Sequence, residues 1–263
     1  PSLVIRRHRF EISTLSELRS RGLFDETLED FFAAAVSAKR NIVIAGGTGS
    51  GKTTLLRALI NEVSASERIV TIEDAYELGL DRFEDLHPDH DALQSRPANI
   101  EGRGEITLAD LTRMALRMDP DRVIVGEVRG AEAFPMLMAM SQGNNGSMCT
   151  MHADSTRSVF PKLAAYVSMA STGLPVETVN LLVASAIHFV VYIDNTNSVR
   201  RVISVREVVD SEGSTIVSNE IFHLNIEDGL VTGFPLREHT RKLLAAHGLG
   251  THISGVPKIE NAS

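Results

Sequence analysis

Ile42-Val-Ile-Ala-Gly-Gly-Thr-Gly-Ser-Gly-Lys-Thr-Thr54 is the stretch that decides the fold of this chain. Gly46 to Thr53 match the pattern G-x-x-x-x-G-K-[ST], and the apolar run Ile42–Ala45 leads directly into it. Glycines at Gly46, Gly47, Gly49 and Gly51, interleaved with Thr48 and Ser50, let the backbone curl with its N–H groups turned inward around phosphate oxygens. Lys52 adds a point charge, the Thr53 hydroxyl is suited to Mg²⁺, and Thr54 is a further hydroxyl within reach. Leu55, Leu56, Leu59, Ile60 and Val63 follow at helical spacing, so the loop opens a helix whose N-terminal dipole favours anions. Strand, glycine loop and amphipathic helix together imply binding of a nucleoside triphosphate.

Working outward, β-like runs alternate with helical patterns. Arg68–Ile72, Arg122–Val125, Ser147–Met151 and Ile187–Ile193 are continuously apolar rather than alternating, which predicts buried parallel strands and an α/β fold. Thr14 with Glu17 marks the start of a short helix that Gly22 ends, and a second helix is expected from Leu28 to about Ala38. Thr107 and Asp110 cap another, with Leu108, Leu111, Met114, Ala115 and Met118 on one face and Arg113 and Arg117 together on another. The polar stretch from Gly79 to Gly104, with Pro88 and Pro97, is too long for an ordinary connection and reads as a functional loop. Beyond Asp194 the pattern changes to short strands around turns at Asp194–Ser198, Ser211–Ser214 and Asp228-Gly229, an antiparallel meander, before a last helix ending near Gly248. The chain opens at Pro1 without a methionine, and a missing upstream segment is expected.

At 263 residues the chain suffices for one large α/β domain, or a core with small additions. Its single cysteine, Cys149, excludes an internal disulfide and reads as a buried thiol. The formal net charge of −8 disfavours nucleic acid as the main substrate. Val179–Ile193, the most apolar long stretch, is interrupted by Asn180, Ser185 and His188 and falls short of the roughly 18–20 residues that span a bilayer, so neither a membrane span nor a signal peptide is expected. His87 and His90 match no zinc spacing and read as part of a solvated loop. The methionines Met114, Met118, Met136, Met138, Met140, Met148 and Met151 read as core filler.

A phosphate loop needs an acidic group on a neighbouring strand, to hold Mg²⁺ and the attacking water beside the γ-phosphate. Val123-Ile-Val125 runs into Gly126-Glu127-Val128-Arg129, and Ile69–Ile72 runs into Glu73-Asp74. Each places a carboxylate at the C-terminal edge of a strand, where open α/β sheets bind ligands. A third strand ends in Thr150-Met-His152-Ala-Asp154, which delivers an imidazole to the same edge if the sheet is parallel.

Taken in order, the glycine loop with Thr54, Thr71-Ile-Glu-Asp74, Asp119-Pro-Asp-Arg-Val-Ile-Val-Gly-Glu-Val-Arg-Gly130 and Gly146-Ser-Met-Cys-Thr-Met-His-Ala-Asp-Ser155 resemble the motifs of the type II/IV secretion ATPases, over most of Arg6 to about Val209. Asn99–Thr107 and Gly130–Ala133 are most similar to the pilus-assembly ATPases of tight-adherence systems. The resemblance implies a RecA-like P-loop ATPase core with a mainly parallel central sheet at residues 39–194, a remnant of an N-terminal domain with linker at 1–38, and a C-terminal β-meander and helix at 195–263 packed on the core. It implies ATP and Mg²⁺ as ligands, Glu127 holding the metal through water with Thr53, Glu73 polarising the lytic water as general base, and His152 sensing the γ-phosphate. Glu73 and Glu127 are interchangeable on sequence alone, since neither reach nor basicity is fixed. Arg6 and Arg7 are candidates to neutralise phosphate charge in cis, or an ordinary basic strand edge; Arg103, Arg113 and Arg117 are candidates to line the pocket or cross a subunit interface. Relatives of this kind work as hexameric rings, so a cytoplasmic homo-hexamer peripheral to the inner face of the cell membrane, docked on the platform proteins of a pilus or secretion system, is implied. A nucleotide-binding scaffold with little turnover and a P-loop kinase are the alternative readings.

Overall fold

The computed structural model describes residues 13–82, 85–227, 229 and 231–250. Helices α1 (Leu15–Ser20) and α2 (Glu26–Ser37) come first. Each is capped by a side chain, the Thr14 hydroxyl accepting the Glu17 N–H at 3.1 Å and the Asp25 carboxylate that of Leu28 at 2.9 Å. There follow β1 (Ile42–Gly46), α3 (Lys52–Asn61), β2 (Ile69–Glu73), β3 (His90–Gln94), α4 (Leu108–Ala115), β4 (Arg122–Val128), α5 (Ala133–Ser141), β5 (Met148–Met151), α6 (Val159–Met169), α7 (Val176–Ala186), β6 (Phe189–Thr196), β7 (Val199–Glu212), β8 (Thr215–Leu224), β9 (Val231–Thr232) and α8 (Glu238–Ala246).

One nine-stranded sheet holds all the strands of the described residues, in the order β3-β2-β4-β5-β1-β6-β7-β8-β9. From β3 to β6 every neighbouring pair is parallel, and from β6 to β9 every pair is antiparallel. This is a RecA-like core with a mainly parallel sheet and an antiparallel C-terminal extension. Successive residues of β1 serve opposite layers. Ile42 and Ile44 pack with α1, α2, α3 and α8, whereas Val43 and Ala45 pack with α4, α5, α6 and α7. In α3, Leu55, Leu56, Leu59 and Ile60 are wholly buried, each worth about 1.5–3 kcal/mol relative to exposure. That anchorage fixes the helix whose first turn carries Lys52 and Thr53. Among the described residues no helix is long and apolar enough to cross a membrane.

Several expectations change. The Gly79–Gly104 stretch is not a plain loop, because it contains a 3₁₀ turn at Leu80–Arg82 and the parallel strand β3. The strands past Asp194 are long, β7 having 14 residues and β8 having 10, and they extend the central sheet in its own plane. Met114 is half-exposed rather than core, and Arg117 lies beyond the end of α4, so it does not share a helical face with Arg113. His87 is buried, not solvated, with Nε2 3.4 Å from Asn61 Oδ1. Cys149 is buried, which pushes its thiol pKa up.

The N-terminal edge of the parallel strands is closed by polar side chains that satisfy one another. Asn41 donates to the carbonyls of Met140 at 2.8 Å and Ala186 at 2.6 Å, and its Oδ1 accepts the N–H groups of Gly146 at 2.7 Å and Ser147 at 3.0 Å. Its own N–H goes to His188 Nδ1 at 2.9 Å. Arg122, 1% exposed, forks onto both oxygens of Glu67 at 2.9 Å and reaches the carbonyls of Val36 and Gly146. Gly146 is required here, since a Cβ would lie 2.6 Å from Arg122 Nη1 and φ is +89°.

Candidate active site at the carboxyl edge of the sheet

The phosphate loop crosses the C-terminal end of β1 and enters α3 through Gly51, whose φ of +104° suits glycine. Gly46 is a close-approach position, because a Cβ there would run into the Ile193 carbonyl of β6. Lys52 folds back over the loop, Nζ donating to the carbonyls of Gly46 at 3.0 Å and Gly47 at 2.8 Å. Burial lowers its pKa, and the negative charges of Glu127 and Glu77 oppose that shift. Ser50 Oγ is buried with no hydrogen-bond partner, a polar group in a glycine-rich anion cradle. Thr53 Oγ1 lies 3.5 Å from Glu77 Oε2.

Parallel pairing brings the ends of β2, β4 and β5 alongside. Glu73, at the end of β2, is 4% exposed, and its Oε1 accepts the backbone N–H groups of Glu77 and Leu78, both at 2.9 Å. Burial raises its pKa, partly countered by those N–H donors. The carboxylate is therefore fixed in place and more basic than an ordinary glutamate, which suits a group that takes a proton from water. The glycine before Glu127 has a steric reason: a Cβ at Gly126 would lie 3.1 Å from Glu73 Cγ, tight enough to push β2's glutamate off its place across β4. Glu127 Oε1 meets His152 Nε2 at 2.8 Å, joining β4 to the end of β5, and Lys162 of α6 holds the His152 carbonyl at 2.7 Å.

The glycine loop, Glu73, Glu127 and His152 thus gather at one edge. Asp74 turns aside to Arg129, with Ser95 Oγ on its other oxygen at 2.6 Å. None of the hydrogen bonds or ion pairs among the described residues joins Arg103, Arg113 or Arg117 to this site. Arg103 is exposed in a turn organised by Asn99, and Arg113 pairs with Asp110 at 3.1 Å. Arg6 and Arg7 lie outside the described residues. Sequence reasoning missed Glu77, which faces Thr53, and Glu132, whose Oε1 takes the N–H groups of Arg129 at 2.6 Å and Gly130 at 2.8 Å and shapes the turn after Glu127. It also missed Arg200, which donates to the Gly49 carbonyl. A glutamate three residues beyond Arg129 was a visible signal for the second; nothing local pointed to Arg200.

The model of the family described as "Type II/IV secretion system protein" matches residues 1–217. A Mycobacterium tuberculosis protein named for conjugal transfer is 35% identical over 209 residues, covering 80% of this chain and 57% of that protein. The type IV secretion system protein VirB11 of Brucella suis is 39% identical over 168 residues, covering 63% of this chain and 45% of that protein. The crystal structure of the VirB11 ATPase from the Brucella suis type IV secretion system, in complex with sulphate, superposes with a TM-score of 0.60 at 34% identity, covering 73% of this chain and 54% of that one. The chain spans about half the length of the curated relatives it matches.

Proposed function

We propose, from the premise that this chain belongs to the type II/IV secretion system protein family, that it is an ATPase whose turnover drives pilus assembly or protein secretion. The observation that carries the reading is the convergence of the phosphate loop with Glu73 and the Glu127–His152 pair at the ends of adjacent parallel strands. Lys52 and the loop's N–H groups hold the β- and γ-phosphates, as the buried, unpartnered Ser50 hydroxyl and the inward Lys52 ammonium favour. Thr53 and Glu127 fit a hard divalent cation, Mg²⁺, which when bound neutralises charge on the transferring phosphoryl group. Glu73 receives the proton of the attacking water, for which its raised pKa and its fixed position on β2 suit it. His152, tied to Glu127, responds to the state of the γ-phosphate and passes it to α6 through Lys162. Gly46 to Thr54 form the nucleotide contact, and Arg6, Arg7, Arg103, Arg113 and Arg117 supply charge from this subunit or a neighbour in a ring.

The working assembly is a homo-hexamer on the cytoplasmic face of the membrane, engaging membrane-embedded platform proteins. Phosphate release from Mg-ATP, measured together with light scattering, tests the reading. Hydrolysis that rises as rings form, and that Lys52→Ala abolishes, is expected. Hydrolysis unchanged by Lys52→Ala would refute it.

A further inference from the structure

The β6–β7 hairpin turns at Asn197 and Ser198, both in the left-handed region with φ of +53° and +65°, the conformation of a tight two-residue hairpin. Strand β6 outruns β1, whose last pair is Gly46 with Ile193, so the hairpin stands beside the phosphate loop. There Arg200, paired across the ladder with Asn195, donates from Nε to the Gly49 carbonyl at 2.9 Å, a contact between residues 151 apart in the chain. Its Cδ would lie 3.4 Å from a Cβ at Gly51, so the aliphatic stem rests on the loop as well.

The consequence follows from peptide planarity. In a trans peptide the C=O of one residue and the N–H of the next point in opposite directions. Holding the Gly49 carbonyl outward therefore turns the Ser50 N–H inward, where it meets the Gly47 carbonyl at 3.4 Å, the same oxygen that takes Lys52 Nζ at 2.8 Å. Gly49 has φ of +71° and no side chain to resist a flip of this peptide.

We propose that Arg200 is a positioning residue for the nucleotide: it locks the Gly49–Ser50 peptide so that the loop presents its N–H groups to the triphosphate. This rests on the nucleotide-binding reading above. The test is equilibrium binding of ATP and steady-state hydrolysis for wild type, Arg200→Ala, Arg200→Lys and Lys52→Ala, with urea unfolding of each. Arg200→Ala raises Kd and KM for ATP about tenfold, the scale of one charge-assisted hydrogen bond. It leaves kcat within about twofold and the unfolding midpoint unchanged. Arg200→Lys, with a donor but no fork, recovers part of the affinity. Wild-type affinity in Arg200→Ala, while Lys52→Ala loses binding, would overturn the role of Arg200 alone. A wild-type chain that binds no ATP would overturn the phosphate-loop reading and this inference with it.

Discussion

The two ends of the parallel sheet are both polar, yet they use polarity in opposite ways. At the N-terminal edge, Asn41, Arg122, Glu67 and His188 spend their hydrogen bonds on one another and on main-chain groups of α2, α5, α7 and the turn before β5. At the C-terminal edge, Lys52, Ser50, Glu127 and His152 stay half-buried or turn into the mouth of a glycine loop. The first edge is where polar groups stabilise the fold, because burying them unpaired is costly. At the second, burial raises the pKa of Glu73 and lowers that of Lys52, the perturbation that fits the reactive roles proposed for them.

Substitutions should separate the two edges. The largest effect is expected from Lys52→Ala, which lowers kcat/KM for ATP about 10³-fold, the scale of losing a key phosphate-charge donor, while the urea midpoint holds. Loss of stability in place of activity would break the contrast. At the opposite edge, Arg122→Ala leaves the part-buried Glu67 to Lys39 alone and strips the buried Val36 and Gly146 carbonyls of a donor, which costs about 2–3 kcal/mol in urea unfolding; a change below about 1 kcal/mol would show that the network is ornamental.

A pH series sharpens the same point. Burial, with Arg40 and Arg237 nearby, pushes His188 down to about 4, and its Nδ1 must be unprotonated to accept the Asn41 N–H. The unfolded chain binds that proton near its ordinary value of about 6.5, so this stability is complete above pH 6.5 and is lost as the pH falls toward 4. The loss amounts to at most about 3 kcal/mol. His188→Gln should flatten that segment of the stability profile. The smallest effect belongs to Glu73→Gln, which keeps an oxygen for the Glu77 and Leu78 N–H groups and relieves burial of a charge. It should leave stability unchanged or raise it by less than about 1 kcal/mol while turnover falls, whereas marked destabilisation would place Glu73 with the structural edge.

How much of this was legible depended on whether the determinant was local. The buried strands β1, β2, β4, β5 and β6 are apolar runs, and being buried on both faces is what makes them so. Strand β3, His-Asp-Ala-Leu-Gln, lies at the sheet's open edge, half-covered and polar, and so read as loop. His87 sits between Leu86 and Pro88 in an acidic stretch, with nothing to announce that it folds inward against Asn61. The ligand class was written in the glycine loop, and the carboxylates followed from strand ends. Gly126 needed the register between β2 and β4 before its role appeared, and Arg200 needed the whole sheet, because its partner lies beyond five intervening strands of sequence.

The most direct test of the claim that the carboxyl edge carries chemistry and not stability is Glu127→Gln, measured for ATP binding, phosphate release and urea unfolding. The account predicts binding close to wild type, phosphate release reduced by at least about 10²-fold, and an unchanged unfolding midpoint. Wild-type phosphate release by Glu127→Gln, or a collapse of its stability, would contradict it.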